Sequence, residues 1–313
     1  MKQINFYGKS LNAYRASLHA HSTVSDGFFS PEQVVKLYEE AGYDILALTD
    51  HAKKNDFTKL SSTTMTLLPG IELHPGGPRV PWHLVCLGIP QNFPEEFSIA
   101  QEAVAAVNAA GGVVFNAHPY WCGFDSREVE SLKGTLGIEV YNGGCRALMK
   151  EYNMQCWDEM LNHGCFCTAI AVDDMHRPRD LFWGWTMICA PDRDQKSILK
   201  ALRQGEFYAS TGPEIYSLEY VDGVFRAEFS EVTDAVLISN LDYYWCETLE
   251  DLHYRGEGIR PITTLVCNVR EKFPVCTYAR LQIRDARGYF AWSNPIRLDN
   301  KEVKSCFGRF PER

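Results

Sequence analysis

Short apolar runs alternate with helical patterns along the first two-thirds of the chain, and this alternation limits the fold more than any other feature. Residues 45–48 (Ile-Leu-Ala-Leu) are apolar without interruption, as a strand buried on both faces requires. Ser30-Pro31-Glu32-Gln33 ahead of them reads as a helix start, with a capping serine, proline at the first helical position and glutamine three residues after the cap. Val34, Tyr38 and Ala41 follow at helical spacing, and Gly42 is placed to end the helix. Further strands are expected at 15–18, 65–68, 84–87, 113–115, 137–141 and 166–172, and helices over 94–110, 146–162 and 195–203. Repeated strand-then-helix units imply a parallel sheet, open or closed into a barrel.

Past Thr211-Gly212-Pro213 the texture changes. Residues 235–239, 264–269 and 278–283 are strand-like, 284–288 reads as a hairpin connection, and no long helix is signalled. The expected organisation is an α/β domain over 1–211 followed by a small all-β domain over 212–313. A chain of 313 residues with 45% hydrophobic content has room for both. The formal charge of −9 argues against a nucleic-acid polymer as partner. No apolar run approaches the ~20 residues that span a bilayer, and the first twenty residues carry no leader pattern, so no membrane is expected. Eleven scattered cysteines without a CxxC pair suit reduced thiols and a cytoplasmic location.

The nine histidines are not scattered. His19 and His21 follow the run ending at Leu18, His51 follows 45–49, His118 follows 113–117 and His176 follows 166–172. His74 comes just after the apolar turn 67–71, and His83 opens the next strand. Asp26, Asp50, Glu72, Glu139, Asp173 and Asp174 accompany them. In a parallel β/α fold the strand C-termini share one mouth, and sites are built there. Imidazoles and carboxylates gathered at one mouth call for metal ions as the partner charge. The local spacings agree. In His19-Ala20-His21 and Asp174-Met175-His176 the outer residues sit two apart, so on extended backbone both face one side. Asp26 stands beside Gly27, where close backbone approach is possible.

These segments resemble the motifs of the PHP (polymerase and histidinol phosphatase) superfamily. His19-Ala20-His21 through Ser25-Asp26-Gly27 is similar to its first motif and Leu48-Thr49-Asp50-His51 to its second. Gly70-Ile71-Glu72 and Asn116-Ala117-His118-Pro119 are similar to the middle ones and Asp174-Met175-His176 to the last. The tail, with Ala291-Trp292-Ser293-Asn294-Pro295-Ile296, resembles a carbaryl-hydrolase-like branch, as do 138–142 and 208–213. The resemblance implies a distorted seven-stranded (β/α) TIM-like barrel with two or three divalent ions, zinc, manganese or iron. It implies His19, His21, Glu72 and Asp174 on one ion and Asp26, His51 and His118 on a second. Glu72 would bridge to a third, shared with His176 and either His74 or His83, of which the family pattern favours His83. Amidohydrolases also begin with HxH, but they use a metal-bridging lysine at a strand end, which is not seen here.

A metalloenzyme of this type is expected to be a phosphoesterase. Hydroxide held between two cations would attack a small phosphate monoester or nucleotide, with Arg177 and Arg146 as candidate phosphate-binding cations. The same centre suits a carbamate, ester or amide, for which Trp121, Phe124, Trp183 and Trp185 are candidate pocket walls. A non-catalytic metal-stabilised binding module is the third possibility.

Overall fold

The computed structural model describes residues 2–62, 64–240, 242–255, 257–258 and 260–298. A hairpin opens the chain, β1 (Lys2–Phe6) against β2 (Lys9–Ser17). Then come β3 (Ile45–Leu48), β4 (Thr66–Leu73), β5 (Leu84–Leu87), β6 (Val113–Asn116), β7 (Gly137–Asn142), β8 (Thr168–Val172), β9 (Trp185–Ala190) and β10 (Phe207–Ser210). The short strands β3, β5 and β6 are buried along their whole length, as their uninterrupted apolar character demands.

The helices are α1 (Pro31–Glu40), α2 (Ala100–Ala109), α3 (Pro119–Cys122), α4 (Ser126–Ser131), α5 (Met154–Asn162) and α6 (Gln195–Gln204). The expected start of α1 is present as a reciprocal capping box between Ser30 and Gln33. Two helices are shorter than their periodicity suggests. Residues 94–99 stay outside α2, because Ile99 pairs with Gly76 as an extended bridge. The pattern over 146–162 is broken. Gly144–Leu148 is a 3₁₀ turn, Met149 takes a left-handed conformation, and Tyr152 pairs with Tyr141 before α5 begins. Backbone pairing along β7 outweighs helical propensity there.

The sheet departs from the all-parallel expectation at β5 and at β9. Strands β2, β3 and β4 are parallel, as are β6, β7 and β8, but β5 runs antiparallel to both β4 and β6. No helix separates β4 from β5, and a short connection can only join antiparallel neighbours. β4 also continues through Pro69-Gly70, where a turn was expected. It changes partner there, pairing with β3 up to Pro69 and with β5 from Gly70. β9, which the sequence reading missed, lies antiparallel to both β2 and β10.

The closed barrel is not borne out. Among the described residues no ladder joins β8 to β9. The side chain of Thr186 spans that seam instead, accepting from the Ala171 N–H and donating to the Ala171 carbonyl. The fold is mixed α/β with a large, open sheet.

The all-β character of the tail holds. β11 (Ile215–Val221), β12 (Val224–Val232), β13 (Asp234–Ile238), β14 (Tyr244–Thr248), β15 (Ile262–Asn268), β16 (Tyr278–Arg284), β17 (Phe290–Ser293) and β18 (Ile296–Arg297) carry only the short helices α7 (Leu249–Tyr254) and α8 (Val269–Lys272) between them. Asp285–Gly288 makes the expected hairpin between β16 and β17. The tail is stitched to the first part by β1, parallel to β11, and by β10, antiparallel to β17. Residues of both parts share one apolar core, including Ile4, Phe6 and Tyr208 with Leu218, Phe225 and Leu281. No described helix is long and apolar enough to cross a membrane.

Candidate metal centre

The two x-separated pairs meet because their backbones run side by side. Ala20 and Met175 form a parallel bridge, in which His21 N–H donates to the Met175 carbonyl and Asp174 N–H to the His19 carbonyl. His19, His21 and Asp174 therefore share one face. His19 Nε2 and His21 Nε2 are 3.0 Å apart, and each lies close to Asp174 Oδ1, at 3.2 and 3.0 Å.

Glu72, at the end of β4, is the hub. Its Oε2 stands 2.6 Å from His51 Nδ1, 3.5 Å from His19 Nε2, 3.6 Å from His21 Nε2 and 3.5 Å from His74 Nε2. Its Oε1 is 2.8 Å from His83 Nδ1 and 3.5 Å from His118 Nε2. His83 belongs here because β5 is reversed, so the start of that strand lies at the mouth where the other strands end. His74 and His83 are both brought to Glu72, and one group of potential ligand atoms comprises His51, Glu72, His74 and His83. A second comprises His19, His21 and Glu72, and a third His21, Asp26, His51 and His176.

The grouping differs from the expected one: His51 rather than His176 stands with Glu72, His74 and His83, and His21 joins the group at Asp26. His176, not His118, joins His51 at Asp26, with both Nε2 atoms 3.4–3.5 Å from Asp26 Oδ1. His118 faces Glu72 and Asp174 Oδ2 instead. The Asp26 loop can lie this close because of Gly27, where a Cβ would come within 2.6 Å of the His21 backbone.

The other carboxylates are spent on support. Asp50 accepts from the N–H and hydroxyl groups of Ser22 and Ser25 and from Asn55, which shapes the loop carrying Asp26. Glu139 accepts from His118 N–H and from Asn142, and its other oxygen lies 2.6 Å from His19 Nδ1. Asp173 turns the opposite way from Asp174, accepting from the Tyr38 hydroxyl and from the N–H groups of Phe182, Trp183 and Gly184. Burial pushes its carboxyl up to about 6, against the pull of those hydrogen bonds.

The donor set fits cations. Glu72 Oε2 and Asp174 Oδ1 are buried and accept no well-directed hydrogen bond, although imidazole nitrogens stand 2.6 and 3.0 Å away. Buried carboxylate oxygens and imidazole nitrogens that face one another with no well-directed hydrogen bond are a donor set that suits a metal ion. Burial pushes His21 down to about 4 and lowers His83, which leaves their lone pairs available for a metal. Burial opposes charge on Glu72 and Asp174, yet His19 and its neighbours hold both carboxyls well below the usual range. Burial likewise opposes charge on His19, but Asp174, Glu139 and Glu72 raise it well above an ordinary imidazole. A divalent cation answers the same negative field.

A cavity of about 400 Å³ opens above the centre, lined by Asp26, His51, His83, His118, Asp174 and His176 together with Trp121, Cys145, Arg177 and Arg179. Arg177 reaches it. Arg146 is not among the lining residues; its guanidinium lies 3.2 Å from the centre of the Trp183 ring. Phe124 packs on Trp82 in the core, and Trp185 lies under the Arg15 guanidinium. Asn142, at the end of the 138–142 segment, donates to both Glu139 and Asp174, whereas Cys122, beside His118, carries no sequence signal of its own.

No family model matches the sequence, and no curated protein matches it. Solved structures do. A Bacteroides vulgatus protein, described as a two-domain protein containing a predicted PHP-like metal-dependent phosphoesterase, is similar over 92% of this chain and 95% of its own, with a TM-score of 0.51 and 15% identity. That likeness shows the fold, across both parts of the chain. An amidohydrolase from Chromobacterium violaceum covers 52% of this chain and 88% of its own, at a TM-score of 0.42 and 17% identity. The lesion-specific endonuclease PfuEndoQ from Pyrococcus furiosus covers 62% of this chain and 56% of its own, at 0.46 and 14%. These last two scores fall short of a shared fold.

Proposed function

We propose that the chain is a metal-dependent hydrolase of the PHP type and acts as a phosphoesterase on a small phosphate monoester or nucleotide. The observation that carries the reading is the convergence of His19, His21, Glu72 and Asp174, whose buried nitrogens and carboxylate oxygens face one another while Glu72 Oε2 and Asp174 Oδ1 accept no well-directed hydrogen bond. His51, His74, His83, His118, His176 and Asp26 extend the donor set toward two or three divalent ions of zinc, manganese or iron. Such ions supply Lewis acidity and can lower the pKa of a bound water from 15.7 toward about 7.

The chain's own residues do the rest. Glu139 and Asn142 fix the rings and the carboxylate of the centre. Arg177, on the cavity wall, binds the phosphoryl anion. A cavity of about 400 Å³ lies at the small end of ligand sites, which favours a small molecule over a polymer. The division into a metal-binding domain over 1–211 and an all-β domain over 212–313 belongs to this reading, as does the cytoplasmic location. A second reading, hydrolysis of a carbamate, ester or amide, is favoured by Trp121, whose half-exposed ring forms part of the cavity wall.

Release of nitrophenolate from p-nitrophenyl phosphate by manganese-loaded protein tests the first reading, with His19→Ala/His21→Ala as control. Release that vanishes in the double variant supports it. Release from nitrophenyl acetate or a nitrophenyl carbamate alone sinks it in favour of the second.

A further inference from the structure

The imidazoles of the centre are held from behind by three different kinds of group. His19 Nδ1 lies 2.6 Å from the Glu139 carboxylate, and His176 Nδ1 lies 3.0 Å from the Asp174 carbonyl. His118 Nδ1 lies 3.5 Å from a thiol, Cys122 Sγ. The geometry behind that contact is specific. Asn116-Ala117-His118 leaves β6, and Pro119–Cys122 forms the single turn α3, whose last N–H donates back to the His118 carbonyl. That turn carries the Cys122 side chain round to the rear of the His118 ring. The His118 backbone is held at φ +29°, a strained value for a residue with a side chain, and its N–H is tied to Glu139 Oε2 at 2.9 Å. Glu139 thus fixes the backbone, and Cys122 touches the one ring nitrogen that points away from Glu72 and Asp174.

We propose that Cys122 is a positioning residue for His118. Its sulfur accepts the Nδ1–H of that ring, which selects the tautomer with the Nε2 lone pair directed at Glu72 and Asp174. The proposal rests on the metal-centre reading, in which His118 ligates through Nε2. A ligating imidazole needs an acceptor at its other nitrogen, and loss of such a partner costs 10–100-fold in metal affinity. A thiol is a weak acceptor. The effect of its loss therefore falls at the low end of that range. On the side of the ring opposite the sulfur, His118 Nε2 stands 3.5 Å from Glu72 Oε1 and 3.8 Å from Asp174 Oδ2.

The test is calorimetric titration of metal-stripped full-length protein with Mn²⁺ and with Zn²⁺. Cys122→Ala and the near-isosteric Cys122→Val remove the acceptor, and Cys122→Ser keeps one. The expected result is a roughly tenfold weaker affinity for one ion in the Ala and Val variants and wild-type affinity, within about threefold, in the Ser variant. Each variant is repeated in a His118→Ala background, where loss of Cys122 should change nothing further. Affinity within threefold of wild type in whichever of the Ala and Val variants fold overturns the proposal. So does an undiminished effect without His118, which a merely structural role would produce. Absence of any binding dependent on His19 and His21 in the wild type would instead overturn the metal-centre reading itself. Activity on phosphate esters does not enter the readout.

Discussion

Two places in this molecule bury charge, and they handle it in opposite ways. Arg280, on β16, is wholly buried, yet its guanidinium donates to Asp158 on α5 and to Gln282, and it stands over the Trp157 ring, 4.6 Å from its centre. Every part of that cation has a partner, and the pair joins the all-β tail to the α/β part. At the mouth of the sheet, Glu72 and Asp174 are equally buried and surrounded by polar atoms, but oxygens of both accept no well-directed hydrogen bond. Buried polar groups cost free energy unless they are paired. A satisfied network marks a structural joint, and an unsatisfied one of mutually facing acceptors marks a place prepared for something else.

The contrast is sharpest if each place is broken in turn. His19→Ala/His21→Ala removes two donors from the mouth. Hydrolysis is expected to fall by at least about 10³-fold, since loss of a ligating pair removes the centre that activates the nucleophile. The metal-free protein should lose stability as well, because His19 balances the buried Glu72, Glu139 and Asp174 carboxylates, which stay behind in the variant. A metal-free unfolding midpoint equal to that of the wild type would show that these carboxylates do not depend on the two imidazoles.

Asp158→Ala leaves Arg280 buried and unpaired. Breaking a buried pair costs about 3–5 kcal/mol, and Asp158 is partly exposed, so about 3 kcal/mol of lost stability is expected in urea unfolding. Metal affinity should not change. Chelation acts only on the mouth: at a metal concentration of 100 times its dissociation constant the bound ion contributes about 2.7 kcal/mol, which stripping removes from the wild type but not from the double histidine variant. The smallest effect is expected from Arg177→Ala, a roughly tenfold rise in KM for a phosphoester with metal affinity intact, as loss of one charge-assisted hydrogen bond predicts. An unchanged KM would remove Arg177 from the site.

Legibility followed the range of the interactions. The start of α1 was readable because a capping box is closed within four residues, between Ser30 and Gln33. Strands β3, β5 and β6 were readable because burial on both faces demands an uninterrupted apolar run. The pairs His19/His21 and Asp174/His176 were readable as candidate chelators because a strand has a period of two. The break at Met149 was not, since it depends on pairing with β7.

By itself, then, the sequence marked the buried strands such as β3, β5 and β6, the imidazoles and carboxylates at strand ends and the change of texture past residue 211, but not strands such as β1, β9 and β10. Tertiary structure alone decided the direction of β5, and with it the arrival of His83 at Glu72 from the opening of a strand. It also decided that His176 rather than His118 stands at Asp26, that Asp173 turns away while Asp174 turns in, that Arg146 stacks on Trp183, and that β8 and β9 meet through a threonine side chain. The physical reason is common to all of these. Composition and period set what a segment can bury, but which neighbour it is buried against, and from which side, is settled only when distant strands compete for the same hydrogen bonds.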